Sequence, residues 1–293
     1  MGYNNEMAKV QWIDILKPDE KDLKGLGKKF GIHPVILDEL RGPSTRSHAE
    51  LYKNYIYLVY YFPIFDPVEE VSVMTEVDFL ITKNSVITVR YENLAALQNV
   101  KHKTAETSIR LTYHIIQALI HFQERQLRHV REKTEAVGRE LFKDREKEVL
   151  KRISKIKRDV SEYRLIVRHQ GPILRSLMEK GVRFGNEEDK LYLSDLMGDY
   201  IKVINQLDSY REAITDFEDT NNQLMYAKTT EVMRTFTTLS FLTFPFMLIA
   251  AIFSMNIGGT PLVENPLGFW IVFMGMIIAI LTLATYFKKR GWI

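Results

Sequence analysis

The chain has 293 residues, of which 46% are hydrophobic, and a formal net charge of +3. This charge is too small for the length to indicate nucleic-acid binding, and we expect no nucleic-acid partner. The absence of cysteine excludes disulfides, thiolate metal ligands and cysteine nucleophiles. No grouping of Ser, His and Asp indicates catalysis, so we expect neither an enzyme nor a bound cofactor.

Residues 1–92 predict a small α/β domain. Helices are expected at residues 18–30 and 34–40, where acidic residues or proline open the segment. Segments rich in Val, Ile, Tyr and Phe alternate with turn residues, as is typical of strands. The strands are predicted at residues 9–16, 55–62, 71–82 and 85–91.

Residues 93–186 predict long, highly charged helices that form an antiparallel hairpin, with breaks near 142–144 and at Gly181. Residues 187–234 predict a stalk helix. Its apolar residues recur at steps of three and four, which indicates a stripe that packs against neighbouring helices. The helix is expected to continue without interruption to Pro245, because no proline occurs before it in this segment.

Two uncharged segments near the C-terminus, residues 235–253 and 267–287, are each close to the roughly 20 residues that cross a hydrocarbon core. They predict two transmembrane helices rather than a pair of buried core helices. The connection, residues 254–266, contains neither Lys nor Arg, whereas basic residues precede the first span and fill the tail, residues 288–293. The positive-inside rule therefore predicts a multi-pass protein of the cell membrane with both termini in the cytoplasm.

Two spans cannot enclose a pore, so transport would require several copies of the chain around an axis. One stripe of the long helix is the candidate pore wall, because it carries polar side chains into an otherwise apolar segment. Its residues are Thr230, Met233, Thr237, Ser240, Phe244 and Met247. The alternative is that these hydroxyl groups only bond back to their own helix.

The segment Phe253-Ser254-Met255-Asn256, directly after the first span, resembles the Tyr-Gly-Met-Asn-Phe signature of the CorA family of magnesium transporters. The order of the parts is similar along essentially the whole chain: α/β domain, helical hairpin, long helix, signature, short loop, second span and basic tail. Residues 31–39 and 228–233 resemble further family segments.

The resemblance implies a CorA-like, funnel-shaped homopentamer in which the first-span helices line a pore for divalent cations. Ser254, Met255 and Asn256 would form the selectivity filter at the outer mouth. Neutral amide oxygens of Asn256 can bind hydrated Mg²⁺ through its waters, which the ion releases reluctantly. Glu264 in the outer loop would help to attract cations, or it is a solvated loop residue.

Ser254 departs from the family signature, which has glycine at this position. If that glycine supplies a special backbone conformation, the filter would be altered. This departure leaves the preferred ion open: the family resemblance implies Mg²⁺, and Zn²⁺, Co²⁺ and Ni²⁺ are the alternatives. A non-conducting, membrane-anchored sensor or scaffold is the alternative from another class.

The resemblance also implies that Mg²⁺ regulates the channel from the cytoplasm. In the family a metal ion lies between an acidic residue of the stalk and one of the α/β domain of the adjacent subunit. By position these residues are Asp219 and Glu39, with Asp38 beside Glu39. The alternative is an ordinary exposed acid at each position.

Overall fold

A computed structural model of the chain describes residues 10–69, 71–100, 105–255 and 267–291. The chain divides into two compact units, Met1–Glu218 and Asp219–Ile293, each of which has its own architecture. The boundary lies inside one continuous helix. The first unit contains the sheet and most of the helices. The second contains the C-terminal part of this helix and the helix that follows it.

The first unit is built on a five-stranded sheet with the order β1-β5-β4-β3-β2. Only β1 and β5 are parallel; the other neighbours are antiparallel. The strands are β1 Gln11–Leu16, β2 Ala49–Leu51, β3 Ile56–Asp66, β4 Val71–Ile81 and β5 Ser85–Arg90. The four strands predicted from the sequence are present, and β2 is an additional short strand.

Strand β3 extends beyond its predicted end and runs through Pro63, which pairs with Met74 of β4. Proline is tolerated there because β2 pairs only with the start of β3, at residues 56–58, so that β3 is an edge strand further along. The sequence pattern predicts that the strand ends before Pro63. In the structure, pairing with β4 extends the strand to Asp66.

Two short helices precede β2: α1 Glu20–Phe30 and α2 Pro34–Glu39. Asp19 caps α1 in a reciprocal pair with Asp22, and Gly31 ends α1 with φ 63°, a left-handed conformation that favours glycine. Leu23 and Leu26 of α1 and Ile36 of α2 are buried against one face of the sheet. The core there contains Leu23, Leu26, Ile36, Val59, Leu80, Ile87 and Ile166.

Three helices follow a short 3₁₀ helix at Ala95–Val100: α3 Ser108–Glu140, α4 Glu146–Arg168 and α5 Gln170–Gly181. The predicted break near residues 142–144 is present, and Asp144 adopts φ 57° in this turn. A further break at His169, between α4 and α5, is not apparent in the sequence pattern. Helix α4 is joined to β4 because the buried Asp159 accepts hydrogen bonds from Ser72 N and Ser72 Oγ, each 2.9 Å long.

Helix α6 runs from Asp189 to Ser254 and includes Pro245. The apolar stripe predicted on its first half is a packing surface, since Leu196 and Leu207 are fully buried in the first unit. The second unit contains the rest of α6 and helix α7, Gly268–Lys289. Both apolar helices are long enough to cross a membrane, and few of their side chains are buried within the single chain.

Candidate permeation path and metal site

The predicted pore stripe is exposed along the second half of α6. Met233, Phe244 and Met247 are 61%, 68% and 67% exposed, and Thr230, Thr237 and Ser240 are exposed as well. Large apolar side chains with this exposure require another covering, either lipid or a neighbouring chain.

The opposite side of the same helix segment is covered. Thr238 and Phe246 are only 1% and 8% exposed, and Leu242 and Ile249 on the same side are partly buried. At about 100° per residue, the mean direction of this face differs from that of the stripe by about 165°. Since α7 is the other helix of this unit and has covered residues of its own at Gly268 and Phe287, we infer that α7 lies on this side.

The hydroxyl groups of the stripe are bonded to their own helix. Thr237 Oγ1 donates to the carbonyl oxygen of Met233 at 2.8 Å, and Ser240 Oγ donates to that of Phe236 at 2.9 Å. Off-stripe Thr238 and Thr243 do the same. Each such hydroxyl has used its hydrogen and retains lone pairs, so that on the exposed stripe it is an acceptor.

The filter residues that are described lie at the end of α6. Ser254 is the last residue of the helix, and Met255 follows it with 56% exposure. Among the described residues other than glycine, only Lys17 and Asp144 have positive φ. Ser254 therefore does not adopt the left-handed backbone conformation that would favour glycine. Asn256 and Glu264 lie outside the described residues.

The three predicted regulatory acids have different surroundings. Glu39, the last residue of α2, is partly buried and accepts a hydrogen bond of 3.1 Å from Ser44 Oγ. Asp38 is 80% exposed and forms an ion pair of 2.9 Å with Arg41. Asp219 is exposed on α6. Within the described part of one chain, no three His, Asp or Glu side chains are grouped to hold a metal ion.

A pair of buried acids on β4, Glu76 and Asp78, is connected to Glu39 through Ser44. Ser44 N donates to both carboxylate oxygens of Glu76, at 2.9 and 2.7 Å, while Ser44 Oγ donates to Glu39. Tyr91 Oη donates to Asp78 Oδ2 at 2.9 Å, whereas Asp78 Oδ1 has no hydrogen-bond partner among the described residues.

Burial raises the pKa of Glu76, although the hydrogen bonds from Ser44 oppose that change. Burial and the neighbouring Glu76 raise the pKa of Asp78 well above its ordinary value of 3.8. Neither Glu76 nor Asp78 was predicted from the sequence as a functional residue. The available signal was two acids at positions i and i+2 of a strand that has no other charged residue, which places both on one face of the sheet.

Comparison with known proteins identifies the family. The family model described as "CorA-like Mg2+ transporter protein" matches residues 7–289. The chain belongs to this family. It is 26% identical to the cobalt/magnesium transport protein CorA of Methanocaldococcus jannaschii, an alignment that covers 98% of this chain and 93% of that protein. It is 23% identical to the protein of the same name from Thermotoga maritima, over 96% of this chain and 83% of the relative.

The predicted fold class is also confirmed for the single chain. The structure described as the complete CorA magnesium transporter of M. jannaschii matches with a TM-score of 0.84 and 23% identity, over 96% of this chain and 91% of that chain. The α/β domain, the long helices and the two C-terminal apolar helices are therefore the CorA fold.

We expect Asp78→Asn to change the pH dependence of stability. An ionised acid whose folded-state pKa is raised destabilises the fold, and this cost disappears as the pH falls from the raised pKa toward 3.8. The variant should therefore melt higher than the unmodified protein at pH 8, with an advantage that shrinks toward pH 5.

Differential scanning fluorimetry of the detergent-solubilised protein in chelator would measure the difference in melting temperature across this range. Glu69→Gln, which neutralises an exposed acid in the β3–β4 turn, is the matched control. An Asp78→Asn advantage that is constant with pH would contradict the assignment.

Proposed function

We propose that the chain is one subunit of a homopentameric channel that carries divalent cations, with Mg²⁺ as the principal cargo, through the cell membrane. Membership of the CorA-like family along residues 7–289 carries the proposal. The exposed stripe on α6, opposite the covered face, supports it independently, because a pore formed by several copies needs a polar helix face that is free in the single chain.

The chemistry of the stripe suits a hydrated cation. The hydroxyl groups of Thr237 and Ser240 have donated their hydrogens to backbone carbonyls and can only accept. A hydrated Mg²⁺ presents the hydrogens of its water molecules, which the ion releases reluctantly. Rings of acceptor hydroxyls, followed at the outer mouth by the amide oxygens of Asn256, would therefore bind the water shell without stripping it.

The membrane potential is sufficient to drive uptake. A doubly charged ion that crosses inward gains roughly 4.6 kcal/mol per 100 mV. The proposed orientation places the basic end of α7 in the cytoplasm, where Lys288 and Lys289 lie in the last turn and the Arg290 guanidinium lies 5.6 Å from the Tyr286 ring centroid. Both termini are then cytoplasmic, and the connection between the spans is outside.

Co²⁺ is a second cargo to test, since both relatives carry cobalt and magnesium in their names. Ser254 is helical, so the serine adds a hydroxyl near the filter without distorting the backbone. Selectivity between Mg²⁺ and Co²⁺ would then depend on how the filter residues hydrogen-bond to the water molecules around each ion.

Asn256→Ala should abolish Mg²⁺ and Co²⁺ flux, because the amide ring is proposed to recognise the hydrated ion. The measurement is uptake of each ion into liposomes that contain the purified protein, with an imposed inside-negative potential. Size-exclusion chromatography would verify that the variant assembles as the unmodified protein does. Full uptake by an assembled variant would refute the filter assignment, and no uptake by the unmodified protein would refute the channel.

A cysteine at Ser240 should make the channel sensitive to a positively charged thiol reagent, because the modified side chain would narrow and charge the pore. Leu239→Cys is the matched control: Leu239 is 54% exposed, lies at the same depth and points about 130° from the centre of the stripe. The chain has no cysteine of its own to react. We expect treatment with the reagent to lower flux at least tenfold in Ser240→Cys and not in Leu239→Cys. Equal inhibition of the two variants would exclude this stripe as the pore wall.

The proposed gate is a metal ion that bridges Glu39 of one subunit and Asp219 of the next, with Asp38 nearby. Two carboxylates that face each other repel by roughly 4 kcal/mol at about 4 Å and an effective dielectric constant near 20, and a divalent ion reverses this repulsion. Bridges of this kind would stabilise a closed state when cytoplasmic Mg²⁺ is abundant. Transport would then be limited by its own product.

Asp219→Ala, and more weakly Glu39→Ala, should keep conducting at internal Mg²⁺ concentrations that close the unmodified channel. The measurement is flux into liposomes with defined internal Mg²⁺, combined with limited proteolysis of the stalk, which Mg²⁺ should no longer protect. Glu212→Ala, another exposed acid of α6, is the control. Unchanged inhibition in the double variant would show that the gate lies elsewhere.

A further inference from the structure

A surface groove of about 710 Å³ lies in the first unit, between α4, the start of β4 and the loop that follows α2. This volume is in the range of sites that hold small organic ligands. Neither the stripe on α6 nor the regulatory acids contribute to its wall. The groove is therefore a feature separate from the permeation path.

Two arginines from different parts of the chain line the groove. Arg46 belongs to the loop after α2, and Arg158 belongs to α4. Both are exposed, and within the described residues neither guanidinium forms an ion pair or hydrogen bond. By contrast, Arg152 and Arg164 on the same helix are paired with Glu140 and Asp208. Glu162 is the acidic residue of the lining, so that the groove has more positive than negative side chains.

Much of the remaining lining is apolar or aromatic. Leu165 and Met74 are 58% and 52% exposed. The Tyr61 and His169 rings, which also line the groove, meet edge to face with 5.8 Å between their centroids. A wall of this kind suits a flat or apolar molecular body rather than a free inorganic anion.

We propose that this groove binds an organic phosphate of the nucleotide class. The phosphates lie between Arg46 and Arg158, because the guanidinium fork matches phosphate oxygens and both forks lack another partner. The hydroxyl groups of Thr45 and Ser47, which also line the groove, add hydrogen bonds to the same end. The base lies against Leu165 and Met74.

Isothermal titration calorimetry on the full-length protein in detergent would test this, with chelator present so that no divalent ion bridges the ligand. The probes are ATP, inorganic triphosphate and adenosine, which separate the contribution of the phosphates from that of the base. We expect ATP to bind more tightly than triphosphate, and adenosine to bind most weakly.

Arg46→Ala and Arg158→Ala should each weaken ATP and triphosphate binding about tenfold, the effect of losing one charge-assisted hydrogen-bonded pair. Lys151→Ala removes an exposed positive charge from the same helix, outside the groove, and should leave binding unchanged. Leu165→Ala should weaken ATP binding while triphosphate binding stays as it was, since only the base contacts this wall.

Three results would overturn the proposal. The first is that neither ATP nor triphosphate binds at millimolar concentration. The second is that Lys151→Ala weakens binding as much as the arginine variants do, which would indicate diffuse surface attraction. The third is that a Leu165→Cys variant of the assembled protein fails to react with a soluble thiol reagent, which would show that another copy of the chain covers the groove.

Discussion

A bilayer interior contains no water to bond polar atoms, so every polar group that enters it needs a partner within the protein. In α6 the backbone meets this requirement as a helix, and the hydroxyls of Thr237 and Ser240 meet it by donating to carbonyls of the preceding turn. The same bonds determine what these side chains can offer to a pore. Because their hydrogens are used internally, they face outward as acceptors, which is the complement of a hydrated cation.

The second half of α6 has one face that is covered by the chain itself and one face that is exposed. Thr238 and Phe246 are covered within the single chain, while Met233 and Phe244 are exposed. A helix with one covered face and one exposed face of mixed polarity is suited to a ring of subunits, in which the second span lies behind the first. The proposed pentamer therefore places the acceptor hydroxyls around a common axis.

In the first unit, buried acids are connected to the proposed gate. Glu39 shares Ser44 with Glu76, and the pKa values of Glu76 and Asp78 are raised by burial. The loop that holds Ser44 is thus bonded both to Glu39, which is proposed to bind the metal ion, and to a buried acid pair.

The sequence alone was sufficient for the fold class and family, because uncharged runs of about 20 residues, helical periodicity and strand composition are local properties of the chain. It also indicated which face of α6 carries Thr237 and Ser240, and this face is exposed in the single chain. The extension of β3 through Pro63 was not predictable, since the proline is tolerated only because β2 is short.

The acid pair on β4 and the groove beside α4 were likewise decided by tertiary structure. In the sequence, Glu76 and Asp78 are only two acidic residues of a strand. The tertiary structure buries both and places Ser44 N within hydrogen-bond distance of Glu76. Arg46 and Arg158 are 112 positions apart in sequence and share a groove only because α4 lies along β4. Such groupings depend on contacts between distant segments, which no local pattern of residues specifies.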